Sequence, residues 1–166
     1  MITASRAAEI DFWLLAICFA RILAYANFMV YAACLPVLMD KWHMSASQAG
    51  TISSAFMGGY ALSLFFFSWL AERFGAKRMF ILSINLTAIS SLVFAFKADS
   101  YLTGLVFYAI VALTQGGIYT PAIMLFSDRY DSRKRGMAMG YLIASTSVAY
   151  AFSLMISGLC LHWSGY

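Results

Sequence analysis

From Phe12 to Met39 the chain carries a single charged residue, Arg21, and four more strongly apolar runs follow at about 46–71, 79–96, 101–127 and 136–161. Roughly 20 such residues are enough to cross the hydrocarbon core of a bilayer as a helix. The runs therefore predict an all-α integral membrane protein, a single helical domain over 1–166 with five spans beginning at 12–39. Pro36 falls near the far end of the first run, where the hydrogen bond it removes costs least. Ser45 or Ser47 is placed to cap the second helix.

Within the runs, small residues fall into two stripes at helical spacing. The second run aligns Ala46, Gly50, Ser54, Gly58 and Ala61, and the fifth aligns Gly136, Gly140, Ala144, Ser147 and Ala151. Such faces let another helix approach closely. The third run has one strongly polar residue, Asn85. The fourth contains Gln115-Gly116-Gly117-Ile118-Tyr119-Thr120-Pro121, and a glycine pair ahead of a proline predicts a kink or an irregular segment in mid-membrane.

Composition excludes several classes. Hydrophobic residues are 63% of the chain and charged residues 11%, against about 25% charged in soluble domains. The net charge of +4 does not make a nucleic-acid surface, because the bases cluster at the ends of apolar runs instead of lining one patch. Cys18, Cys34 and Cys160 lie in or beside apolar runs with no CxxC and no histidine at ligand spacing, so they read as packing residues and no metal or cofactor is expected. Ala24-Tyr25-Ala26 has the form of a signal-cleavage site, but the run continues far beyond it and holds Arg21, unlike a cleavable leader.

The loops set the expected topology. Residues 1–11 form a short polar lead, a cytoplasmic tail with Arg6. Ser68-Trp-Leu-Ala-Glu-Arg-Phe-Gly-Ala-Lys-Arg78 and Asp128-Arg-Tyr-Asp-Ser-Arg-Lys-Arg135 make two basic turns. Together with Arg6 they place eight bases on one side, against Lys41 and Lys97 on the other. The positive-inside rule then puts the N terminus inside and, after five spans, Tyr166 outside.

The first basic turn reads Glu72, Arg73, any residue, Gly75, any residue, Lys77, Arg78. This order resembles the loop between helices 2 and 3 of major facilitator superfamily transporters, with Ser68 in place of the usual opening glycine and Glu72 in place of the commoner aspartate. The resemblance extends through Gln115-Gly-Gly, Pro121, the second basic turn ending Arg135-Gly136 and a glycine-led fifth helix. It implies the first five helices of a six-helix half of a twelve-helix transporter, ending before helix 6, with the substrate held between two halves. A second half is thus an expected partner, alongside the lipid bilayer and a small-molecule substrate, in the cell (inner) membrane. The resemblance also implies that Glu72, Arg73, Gly75, Lys77 and Arg78 form a conformational gate with Arg135 as partner. Two departures narrow it. Tyr108 stands where many members carry an arginine, and the fifth helix lacks the proline of many antiporters, which disfavours drug efflux.

Arg21 is the chemically telling residue, because a charge inside a span costs about 2.5–3.5 kcal/mol on insertion scales and marks a pathway or ligand. Arg21, Tyr25, Phe28 and Ala32 share a stripe, flanked by Ala24 and Tyr31. Tyr108, Gln115 and Tyr119 make a matching stripe on helix 4, and Thr146, Tyr150, Ser153 and Ser157 one on helix 5. An arginine among phenols can grip a carboxylate or phosphate in a fork. The substrate site is therefore expected at Arg21, Tyr25, Phe28, Tyr31, Gln115 and Tyr119, with an anionic substrate. The alternatives are a snorkelling Arg21 and helix-helix packing by the other stripes.

No Asp or Glu lies inside the five runs, so no paired acids, Ser-His pair or zinc motif can be assembled and catalysis is not expected. Two functions remain: secondary transport of a small organic anion by alternating access, or a non-transporting membrane scaffold that packs against other helices. The topology carries its own test. A reporter fused after Tyr166 should give an external signal and one fused near Arg133 a cytoplasmic signal; the reverse pattern would overturn the base asymmetry as the orienting term.

Overall fold

The computed structural model describes residues 12–163, and the expectations placed on the 1–11 lead, on Arg6 and on Tyr166 lie outside the described residues. Five helices account for nearly all of it: α1 (Phe12–Lys41), α2 (Ala46–Phe74), α3 (Ala76–Lys97), α4 (Tyr101–Arg129) and α5 (Ser132–Trp163). All five are long and apolar enough to cross a membrane. Large apolar side chains such as Phe19, Leu62, Phe65 and Leu92 cover the outside of the bundle, a surface suited to lipid.

The turns are short because their chemistry is local. Gly75 alone separates α2 from α3 at φ 93, a conformation open to glycine and rarely to L side chains. Glu72 and Arg73 consequently end α2 while Lys77 and Arg78 begin α3, so both helices run further than their apolar stretches. Two bases at a helix start oppose the macrodipole, so Lys77 and Arg78 do not stabilise α3 from within. Ser45, rather than Ser47, caps α2 through a reciprocal box with Gln48. Ser100 and Thr103 repeat the device at α4, a signal the sequence reading passed over.

Packing divides the bundle unevenly. α4 lies against α2 and α3, α1 lies against α5, and α1 touches the α2–α3–α4 group along thinner seams. α2 and α5 do not pack on each other. Trp13, at the start of α1, stacks its ring beneath the Arg129 guanidinium at 4.7 Å and beside Phe126 at 5.6 Å, so the basic turns and the beginning of α1 share one end of the bundle.

The glycine pair of α4 does not break the helix. α4 runs without interruption from Tyr101 to Arg129 through Gly116, Gly117 and Pro121, contrary to the expected irregular segment. The reason is close approach: a Cβ on Gly116 would lie 2.8 Å from the Leu64 nitrogen and 2.7 Å from the Ser63 Cβ, and one on Gly117 would lie 2.7 Å from the Ser83 Cβ. Ser63 donates to the Leu113 carbonyl at 2.6 Å, and Ser83 donates to the Thr114 carbonyl. Thr87 and Ser90 add hydroxyl contacts to Thr114 at 3.3 and 3.1 Å. Small residues and hydroxyls thus join α4 to both neighbours, as membrane helices require where apolar burial gives no drive. Asn85 takes no part and turns back on its own helix, bonding the Ile81 carbonyl at 2.8 Å.

The two predicted small-residue stripes have a different place. Gly50, Ser54 and Gly58 on α2 and Gly136 and Gly140 on α5 are exposed, and a Cβ added at any of these glycines would meet nothing within 4 Å. Gly59, one residue along, is the α2 glycine that faces α4, with Ala109 O at 3.4 Å. In the 166-residue chain Gly116→Ala should therefore lower thermal stability by about 1–3 kcal/mol through overpacking, while Gly58→Ala should be neutral or raise it by up to about 1 kcal/mol. Thermal unfolding in detergent reads both, and a larger loss from Gly58→Ala than from Gly116→Ala would contradict this packing.

Candidate functional site

Arg21 sits about a third of the way along α1 and is fully buried by protein. It does not snorkel. One terminal nitrogen, Nη2, donates to Thr146 Oγ1 on α5 at 2.8 Å. The guanidinium carbon lies 5.2 Å from the Tyr25 ring centre and 5.5 Å from that of Tyr119, so rings from α1 and α4 flank the charge. Nε and Nη1 are buried without any hydrogen-bond partner.

The surroundings are aromatic and drawn from four helices. The hydroxyls of Tyr25 and Tyr60 meet at 3.0 Å, joining α1 to α2. Tyr150 of α5 stacks on Phe28 with centroids 5.0 Å apart and meets Tyr25 edge-on at 6.4 Å. Phe28 also packs edge-on against Tyr60 at 6.1 Å. Gln115 on α4 is fully buried; its Nε2 donates to the Ala24 carbonyl at 3.1 Å, while its Oε1 has no donor. Because α4 is continuous, Gln115 and Tyr119 stand one turn apart on the same face.

Arg21, Tyr25, Phe28, Gln115 and Tyr119 are therefore brought together, and Thr146 and Tyr150 of the α5 stripe join them. Tyr31 is not part of this group. It bonds the Ala49 carbonyl at 3.1 Å and lies against Tyr108 at 5.0 Å, in a second cluster further along α1. Tyr108 fills that cluster by stacking on Phe56 at 4.3 Å and donating to the Phe28 carbonyl at 3.2 Å. The sequence reading missed Tyr60, because on α2 it followed the exposed small residues; the stripe Ile52, Phe56, Ser63 and Phe67, with Tyr60 between, was the available signal. Ser153 and Ser157 are buried on α5, and Ser153 Oγ has no partner.

The expected gate residues lie elsewhere. Glu72, Arg73, Gly75, Lys77 and Arg78 are exposed at the basic end, with Arg73 over the Trp69 ring at 5.7 Å. Arg135 donates to the Ser127 carbonyl at 3.0 Å, and α2 and α5 do not touch, so it is not a contact partner of Glu72 within this bundle. No group of His, Cys, Asp or Glu able to hold a metal occurs among the described residues.

The bundle of five apolar helices thus encloses a buried cation among aromatic rings, with no acidic side chain paired to it among the described residues. The sequence profile of the Major Facilitator Superfamily matches residues 17–166, and the chain belongs to that family of multi-pass membrane proteins. It is 27% identical to the "Multidrug export protein EmrB" of Haemophilus influenzae, over 90% of this chain and 30% of that protein. It is 23% identical to the "Probable 4-methylmuconolactone transporter" of Cupriavidus pinatubonensis, over 82% of this chain and 32% of the relative. It is also 25% identical to the "Probable sulfoacetate transporter SauU" of Cupriavidus necator, over 74% and 28% respectively. The chain thus spans about a third or less of the length of these relatives. No solved structure shows significant similarity to it.

A buried guanidinium with two unpaired nitrogens costs the fold free energy. Each unmet donor costs about 1–3 kcal/mol, and one hydrogen bond with two ring contacts offsets only part of the desolvation. Arg21→Met, apolar and of similar length, should therefore leave thermal stability unchanged or raise it by about 1–4 kcal/mol. A structural arginine would behave in the opposite way, with unfolding shifted to lower temperature.

Proposed function

We propose that this chain is the leading part of a secondary transporter that moves a small organic anion across a membrane by alternating access. The observation that carries this reading is Arg21: a desolvated guanidinium with Nε and Nη1 unpartnered, walled by Tyr25 and Tyr119. A carboxylate or sulfonate bound there supplies the missing acceptors in fork geometry. Relatives named for 4-methylmuconolactone and sulfoacetate transport are in keeping with such a solute. Tyr25, Phe28, Gln115 and Tyr119 shape the pocket beside Arg21, and Tyr60, Thr146 and Tyr150 complete it. Tyr31 supports it from the next cluster.

In this reading the five helices belong to a six-helix half with the N terminus inside, and the second half rocks against them. The exposed stripes through Gly50, Ser54 and Gly58 and through Gly136 and Gly140 are the faces a second half would approach. Glu72, Gly75 and the adjoining bases act as a latch at the basic end, with Arg135 bracing the α4–α5 turn. A non-transporting scaffold would use the same stripes but leaves the unpaired Arg21 without a purpose.

The test separates charge from geometry. In the complete transporter, Arg21→Lys keeps the charge and loses the fork, so uptake across a panel of organic anions should fall at least about tenfold. Arg21→Gln should weaken anion binding by roughly 2–5 kcal/mol, measured calorimetrically. Unchanged uptake by folded Arg21→Lys protein would remove the reading.

A further inference from the structure

The anion site has unmet chemistry of both signs. Beside the two free donors of Arg21 lies one free acceptor, Gln115 Oε1, on a side chain with no exposed surface. Its orientation is fixed. Nε2 donates to the Ala24 carbonyl at 3.1 Å, and turning the amide over would set two oxygens against each other. The acceptor therefore faces away from Ala24 with nothing to accept from, at a cost that buried polar groups seldom carry without a use.

The free atoms are neighbours without being partners. Ala24 lies three residues beyond Arg21 on α1, and Tyr119, whose ring flanks the Arg21 guanidinium, lies four beyond Gln115 on α4. Residues so spaced are about 5–6 Å apart on a helix face. Nε and Nη1 do not pair with Oε1, although all three atoms are buried. A bare carboxylate satisfies Arg21 but brings its own oxygens toward Oε1, acceptor against acceptor.

We propose that the ligand of this site carries a hydrogen-bond donor next to its anionic group, as a 2-hydroxy acid does, and that Gln115 Oε1 accepts from that donor. The proposal rests on the anion reading of Arg21. The carboxylate takes Nε and Nη1, the hydroxyl on the adjacent carbon donates to Oε1, and the rest of the ligand meets the rings of Tyr25, Phe28, Tyr60 and Tyr150. Gln115 then selects among anions that Arg21 alone would not distinguish, since a site built to accept from a hydroxyl disfavours the analogue that lacks one.

Two matched pairs of acids test this on the protein in lipid nanodiscs by titration calorimetry: mandelate against phenylacetate, and lactate against propionate. In at least one pair the hydroxy acid should bind about tenfold or more tightly. Gln115→Met, which keeps the length and loses the acceptor, should bring that ratio close to one, chiefly by weakening the hydroxy acid. Equal binding within both pairs, abolished by Arg21→Gln, would overturn the role of Gln115 and leave the anion site standing. No binding of any of the four acids, or binding indifferent to Arg21→Gln, would overturn both. The wild-type ratios decide the matter even where Gln115→Met fails to fold.

Discussion

The bundle depends on how closely α4 can lie against α2 and α3. In lipid, apolar side chains gain little by leaving their surroundings for another helix, so contact must come from tight packing and interhelical hydrogen bonds. Gly116 and Gly117 remove the side chains that would hold α2 and α3 off, and the hydroxyls of Ser63 and Ser83 reach the α4 carbonyls of Leu113 and Thr114 through the space left. Each bond contributes modestly, about 0.6 kcal/mol on average in such settings. Together with close packing they fix the rotation of α4 about its axis.

That rotation determines what reaches Arg21. With the glycines turned toward α2 and α3, Gln115 is directed to the α1 backbone at Ala24 and Tyr119 to the guanidinium. A helix interrupted at Gly116 would have uncoupled these two residues. Continuity past Pro121 instead transmits one packing decision to both ends of the site, and the same geometry sets Tyr108 under the Phe28 carbonyl. Tight packing of α4 and an incompletely satisfied polar site are thus two sides of one helix, the rigid face holding the polar one in position.

Much of this was legible in the sequence and some was not, for identifiable reasons. Span number and the stripe of Arg21, Tyr25 and Phe28 follow from run length and helical spacing, which tertiary contacts do not alter. The role of Gly116 and Gly117 was misread because a glycine pair before a proline serves both flexible and tightly packed backbone, and only the neighbours distinguish them. Asn85 drew notice as the strongest polar group of α3, yet Ser83, Thr87 and Ser90 hold the helix; hydroxyls are weak signals singly and significant only at matching spacing. Tyr31 went astray because a stripe on one face runs the length of the helix, and further along α1 that face meets Ala49 and Tyr108 in the second cluster. The stripes through Gly50 and Gly136 were expected to pack against helices and are exposed in this bundle, because a sequence does not say whether a partner lies in the same bundle.

The position of α1 has a mechanical consequence. It packs broadly on α5 and meets α2, α3 and α4 along thinner seams that combine aromatic contacts, such as Phe28 on Phe56 and Trp13 on Phe126, with polar links: Tyr25 to Tyr60 and Tyr31 to Ala49 on α2, Asn27 to Ser91 on α3, and the Phe28 and Ala24 carbonyls to Tyr108 and Gln115 on α4. These thinner seams have less close packing to lose on shifting than the interfaces of α4 with α2 and α3. Arg21 stands on the α1 side of this seam and Gln115, bonded to the Ala24 carbonyl, on its α4 side. A ligand shifts a conformational equilibrium only by its differential affinity for the two states. One that binds Arg21 on α1 and Gln115 on α4 together exists as a bridge only at one spacing of the seam. A ligand that met the unpaired atoms of both residues would therefore couple its binding to the spacing of α1 and α4.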